Sequence, residues 1–144
     1  KMKVPHKVVG AAVLLNAKNQ ILIAQRKAEG GMLAGLWEFP GGKIAEGETM
    51  PQCIARELKE EMGITIDVGP HLVTVPHAYS HFTIELHAHF ARIRSGRPRH
   101  IECADHAWVT REQFENYPFS KADLDIIRAL RALPNAPRLK DYFS

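Results

Sequence analysis

Arg56, Glu57, Glu60 and Glu61 fall within six consecutive positions, three carboxylates and one guanidinium at spacings that a helix would bring to one side. At about 100° of rotation per residue, the three glutamates share an arc of roughly 100°. Ile54, Ala55, Leu58 and Met62 fill the neighbouring arc, so the carboxylates border a face built for burial. Glu57 and Glu61 are like charges at i,i+4, which weakens a helix by a few tenths of a kcal/mol, and something must offset the repulsion. Hard oxygen ligands at the edge of a core suit Mg²⁺ or Mn²⁺, which take carboxylates, waters and phosphate oxygens. The cluster therefore reads as a divalent-metal site. Its other reading is an amphipathic helix with a solvated acidic edge and an Arg56–Glu60 pair.

Local signals place that helix. Thr49 with Gln52 forms a capping box, Pro51 is tolerated in the first turn, and Gly63 supplies a left-handed stop, so a helix is predicted over Thr49 to Met62. Ahead of it, Phe39-Pro40-Gly41-Gly42-Lys43 and Glu46-Gly47-Glu48 read as a turn-rich loop whose main chain can approach a phosphate or a metal closely.

The rest of the chain supplies the framework. Val8 to Leu15 and Gln20 to Gln25 read as strands joined by a hairpin-like turn at residues 16–19, and Leu36 to Phe39 as a short strand. Thr65 to Val75 reads as a strand, as does Phe82 to Phe90, which alternates apolar and polar residues. Ala107 to Val109 adds another. Thr110 with Gln113 opens a short helix, and Ser120 with Asp123 opens a longer one to Leu133, ended by Pro134. Mixed strands and two principal helices give an α+β layered domain with a mixed sheet between helices. His87 and His89 project to one side of their strand and read as a solvated face rather than a zinc site.

Written out from Gly42, the spacing is five residues, Glu48, seven residues, then Arg56-Glu57-Leu58-Lys-Glu60-Glu61-Met-Gly63-Ile64. This resembles the signature of the Nudix hydrolases at every fixed position. The resemblance implies an α/β/α sandwich with a mixed central β-sheet. It also implies that Glu57, Glu60, Glu61 and the Gly41 carbonyl hold Mg²⁺, with Mn²⁺ as the alternative. Glu57 would be the base for the attacking water, Arg56 would orient it, and Glu48 would hold the loop and helix start, with Gly42 and Gly63 as motif glycines. The segments Gln20 to Arg26, Leu33 to Lys43 and Phe119 to Asp123 extend the resemblance to the MutT branch over roughly Val8 to Leu133. His77-Ala-Tyr79-Ser-His81-Phe-Thr-Ile also resembles the C-terminal domain of MutY adenine glycosylases, which reads a damaged guanine without hydrolysing nucleotides.

The MutT branch implies Mg²⁺-dependent hydrolysis of nucleoside triphosphates, notably 8-oxo-dGTP, to the monophosphate and pyrophosphate, in nucleotide-pool sanitation and DNA repair. Phosphoanhydride cleavage needs charge neutralisation, a positioned water and a base, which metal and carboxylates supply. Glu102, on a loop before Trp108, stands where the branch carries a further acidic ligand or base. Arg26, Lys43, Tyr79 and His81 are the expected substrate contacts. Asp123 stands where the branch tends to carry asparagine for the purine. As an ionised carboxylate it can only accept, which suits the N1–H and amino group of guanine; its other reading is a carboxylate favoured by a helix N-terminus. Two alternatives stay open: hydrolysis of another nucleoside diphosphate derivative such as a dinucleoside polyphosphate, and a non-catalytic module for damaged guanine. The three intact glutamates argue against the second.

With 144 residues, 45% hydrophobic and 24% charged, the composition fits a single domain over 1–144, with the motif at 42–64 and a C-terminal tail at 135–144. No apolar run reaches membrane-spanning length, and Lys1-Met-Lys-Val-Pro leads into a strand rather than a signal-peptide core. A cytoplasmic protein without a membrane partner is expected. Cys53 and Cys103 are too few for a disulfide framework. The net charge of +3 and the cluster Arg92, Arg94, Arg97 and Arg99 read as a solvated loop or as attraction for polyphosphate, and no nucleic-acid-binding motif accompanies them. The expected partner is a small-molecule nucleotide, and the expected state a monomer or weak dimer.

Overall fold

The computed structural model describes residues 4–29 and 31–143. Residues 1–3, on which the signal-peptide argument partly rests, lie outside the described residues. β1 (His6–Leu14) is exposed at its start and buried on both faces from Gly10 to Leu14. Successive side chains of a strand point to opposite sides: Ala11, Val13 and Leu15 enter one core, Ala12 and Leu14 the other. Its neighbours complete a mixed sheet. β6 (Thr83–Ser95) runs parallel to it, β4 (Gly41–Lys43) antiparallel on the other edge, and β5 (Thr65–Ala78) antiparallel beyond β6, giving the order β4-β1-β6-β5. A smaller antiparallel sheet orders β3 (Trp37–Glu38), β2 (Ile21–Gln25) and β7 (Asp105–Val109).

The helices cover the two faces. α1 (Met50–Met62) buries Cys53, Ile54, Leu58 and Met62, and the last three share a core with Ala12 and Leu14. α2 (Lys121–Ala132) buries Ala122, Ile126, Ile127 and Leu130 against the other core, beside Phe114 of the 3-10 turn Arg111–Asn116. Full burial of one such aliphatic side chain contributes about 1.5–3 kcal/mol. The result is the expected α+β sandwich, a mixed sheet between helices.

Three details differ from expectation. The turn at residues 16–19 is closed by an antiparallel Leu15–Ile21 bridge, after which β1 and β2 diverge into separate sheets rather than continuing as one hairpin. Asn16 Oδ1 accepts the Lys18 and Gln20 N–H groups there. Part of the expected loop at 39–43 is β4, because Gly41, Gly42 and Lys43 pair with Ala11, Gly10 and Val9 through backbone alone. Finally, the described part of the expected tail docks. α3 (Leu139–Tyr142) ties its first N–H to Asn19 Oδ1 at 2.8 Å and stacks Tyr142 on Phe90 at 3.8 Å between ring centroids. The apolar and aromatic groups Leu139 and Tyr142 have a core to pack against.

Candidate active site

α1 starts and stops as its caps dictate. Thr49 accepts the Gln52 N–H while Gln52 accepts that of Thr49, and Gly63 ends the helix at φ 70°. This fixes the rotation of the glutamates about the helix axis. Glu61 falls on the buried side with Leu58 and Met62, only 7% exposed. Glu57 lies at the border, and Glu60 turns outward, with its side chain half exposed and paired to Arg56 at 3.0 Å.

Glu57 and Glu61 line a cleft of about 290 Å³ with Glu38, Glu102 and Gly41. Arg26 and Lys27 supply its positive charge and Cys103 a thiol. Glu60 is not among the lining residues. The loop carrying Glu102 is laced to the end of α1, since the Arg99 N–H donates to the Met62 carbonyl and the Glu102 N–H to that of Glu61. β4 presses against the same helix. A Cβ at Gly42 would collide with the Glu57 carboxyl, so only glycine leaves the carboxylate its place.

Electrostatics follow from this crowding. Burial, then the charges of Glu38, Glu57 and Glu102, push the Glu61 carboxyl up to about 8, although the Gly41 backbone N–H opposes them. Burial also raises Glu38, with Asp123 adding to the effect and Arg26 opposing it. Arg56 is held firmly charged, chiefly by its hydrogen bonds to Glu48 and then Glu57. It donates to Glu48 at 2.5 and 2.9 Å, to Glu57 at 2.9 Å and to the Lys43 carbonyl at 3.1 Å, while Glu48 accepts the Ala45 N–H. Arg56 thus braces the loop and the Glu57 carboxylate together. Burial pushes the Cys103 thiol up to about 11. The donor set is dominated by carboxylate and carbonyl oxygens with excess negative charge, which fits Mg²⁺ or Mn²⁺.

A second cleft of about 220 Å³ shares Arg26, Glu38 and Gly41 with the first. Its walls include Leu33, Phe82, Ile84 and Leu86, and its polar groups include Lys43, Tyr79 and Asp123. Asp123 is buried on the first turn of α2, where Oδ1 accepts the Phe39 N–H at 2.9 Å and Oδ2 accepts the Ser120 hydroxyl at 2.5 Å. It therefore locks the β3–β4 corner to α2 while facing the cleft. The Tyr79 hydroxyl accepts the Ala122 N–H. His81 is exposed in the turn after β5 and lines neither cleft.

Glu38 was not expected in the site. It pairs with Arg26 at 3.2 Å, and the Arg26 Nε is buried without a hydrogen-bond partner among the described residues. The available hint was its place in the Trp37-to-Lys43 run, where a charge sits between two aromatic residues. Among the expected cationic cluster, Arg92 and Arg94 both pair with Asp67 across β5 and β6.

Residues 10–129 match the NUDIX domain family. The CTP pyrophosphohydrolase of Escherichia coli (strain K12) is 35% identical over 122 residues, 85% of this chain and 90% of that one. The 8-oxo-dGTP diphosphatase of Proteus vulgaris is 42% identical over 71 residues, 49% of this chain and 62% of that one. The crystal structure of a MutT protein from Methanosarcina mazei Go1 shares the fold, with a TM-score of 0.82 at 22% identity, covering 94% of this chain and 100% of that one.

Proposed function

The chain belongs to the NUDIX domain family, whose hydrolases act on phosphoanhydride bonds, and from that premise we propose that it is a nucleoside triphosphate diphosphatase. It releases the monophosphate and pyrophosphate, with a guanine nucleotide such as 8-oxo-dGTP as the substrate class that its polar groups suit. The observation that carries this reading is the junction of two unlike clefts at Arg26, Glu38 and Gly41. The acidic cleft suits a metal-bound polyphosphate, and the half-apolar one suits a sugar and base.

Glu57, Glu61, Glu102 and the Gly41 carbonyl would hold Mg²⁺, which when bound neutralises phosphate charge and acidifies water. Glu57 accepts the proton of the attacking water, and Arg56 keeps its carboxylate aimed. Glu102 is the alternative base. Glu60 serves the rim through Arg56. As the new oxygen–phosphorus bond forms, the bridge between the α and β phosphates breaks, and pyrophosphate leaves with the electron pair. Arg26 and Lys43 attract the phosphates. Asp123 and Glu38 meet the base edge, where a guanine offers adjacent N1–H and amino donors to acceptor oxygens.

A second reading, CTP as substrate, is favoured by the longer of the two sequence matches, which spans 85% of this chain. Cytosine presents a single amino donor to a carboxylate. Pyrophosphate release from 8-oxo-dGTP, dGTP, CTP and a dinucleoside polyphosphate, each with and without Mg²⁺, separates the readings. The highest kcat/KM is expected for 8-oxo-dGTP. A preference for CTP would move the assignment to the second reading, and no metal-dependent pyrophosphate from any of them would refute both.

A further inference from the structure

His100 lies on the loop before β7, and Asp105 and His106 open that strand, so the three bracket the segment that carries Glu102. His100 Nε2 faces His106 Nδ1 at 2.7 Å, and Asp105 Oδ1 lies 3.9 Å from His100 Nε2. One ligand atom from each residue lies within 4.8 Å of the other two. From this arrangement we propose a transition-cation site of the Zn²⁺ class, made by His100, Asp105 and His106 and separate from the acidic cleft.

The distances suit a small tetrahedral ion. At Zn–N bonds of about 2.0–2.1 Å, tetrahedral ligand atoms stand about 3.3 Å apart. The observed 2.7 and 3.9 Å straddle that spacing, so rotations of exposed or half-exposed side chains close the site. Two of the three ligands are already set on a rigid support. Asp105 and His106 pair with Gln25 and Ala24 of β2, and the Ala104 N–H donates to the Gln25 carbonyl at 2.8 Å. Asp105 Oδ1 also accepts the His106 N–H at 2.8 Å, the kind of supporting bond that orients a metal-binding carboxylate.

Ligand chemistry separates this site from the first. Imidazole nitrogens select Zn²⁺, Cu²⁺ or Ni²⁺ over Mg²⁺, whereas the cleft around Glu57 and Glu61 offers mainly oxygens. Three protein ligands leave a coordination position for water. Because its ligands flank Glu102, the ion would also clasp together both ends of the loop that delivers that carboxylate.

The test follows the histidine ring nitrogens of the full chain by long-range ¹H–¹⁵N NMR as Zn²⁺ is added over an excess of Mg²⁺, which keeps the oxygen site filled. The expected result is saturation of His100 and His106 shifts at one equivalent, with the rings of His71, His77, His81, His87 and His89 unmoved. His100→Gln and His106→Gln should each weaken Zn²⁺ uptake, measured calorimetrically under the same Mg²⁺ excess, by at least the roughly 10–100-fold that loss of an outer partner brings. Unmoved His100 and His106 rings would mean that the pair merely shares an N–H···N hydrogen bond, and would overturn the proposal. So would wild-type uptake by both variants, or shifts confined to the His71, His87 and His89 group. None of these readouts depends on hydrolysis, so failure here leaves the diphosphatase reading intact.

Discussion

Glu57 and Glu61 stand one turn apart on the same helix, yet they are fitted for different work. Glu61 is buried among other carboxylates, and burial and their charges make it resist ionisation. Glu57 keeps an arginine partner and an open border, which suits the base role proposed for it. Glu57→Gln should therefore lower kcat by about 10²–10⁴-fold while circular dichroism and Tm stay near wild type. An active, folded variant would transfer the role of base to Glu102. Asp123→Asn retains the bond from the Phe39 N–H but exchanges an acceptor oxygen for a donor. It should change the ratio of kcat/KM for 8-oxo-dGTP over CTP by about tenfold, since one hydrogen-bond mismatch at a base edge is worth about 1–3 kcal/mol. An unchanged ratio would remove Asp123 from base recognition. Glu38 shows where residue-level reading stops. Its charge was visible, but its company of Arg26, Asp123 and Glu61 comes from β2, α2 and α1, and no local spacing links these positions.

Elements differ in how openly they announce themselves. α1 was legible almost to the residue because its start, stop and apolar stripe are all local, and the observed caps are those the residues specify. β4 was not legible, because Gly41 and Gly42 carry no side-chain pattern and join the sheet only through backbone bonds to β1, some thirty positions earlier. The ends of β5 and β6 also lay beyond their patterned centres, where cross-strand pairing sustains what alternation does not declare. The contact between β4 and α1 has a functional consequence. Gly42→Ala would drive a methyl group into the Glu57 carboxyl. If Glu57 is the proposed general base, activity should fall by an order of magnitude or more, and the loss should appear in kcat rather than KM, because the substitution displaces that carboxylate and leaves the second cleft standing. Wild-type kcat in this variant would show that the close approach does not matter to turnover.

On the scale of the whole molecule, the buried acidic cleft ties folding to protonation, and the proposed cation would act on the same balance. Glu61 has an ordinary value of 4.5 in the unfolded chain and about 8 in the metal-free fold. The fold therefore binds that proton more tightly than the unfolded chain does. The associated stability is complete below pH 4.5 and is lost as pH rises through about 8. Thermal unfolding without Mg²⁺ should show Tm falling across that window, as Glu61 withdraws a contribution of at most about 5 kcal/mol. Added Mg²⁺ should raise Tm more at pH 8 than at pH 5, and Glu61→Gln should flatten the slope. A slope unchanged by that substitution would assign the pH dependence to other groups.

The parallel join of β1 to β6 carries a consequence for how the protein is made. His6 to Leu14 pair with Thr83 to Ala91, so the middle of the main sheet is zipped by partners that a ribosome delivers more than seventy residues apart. Until Thr83 to Ala91 emerge, an apolar ribbon waits with one edge unsatisfied, the kind of edge that recruits other chains. Early nascent chains thus need shelter, and the helix that carries Glu57 is synthesised before the wall it leans on is complete.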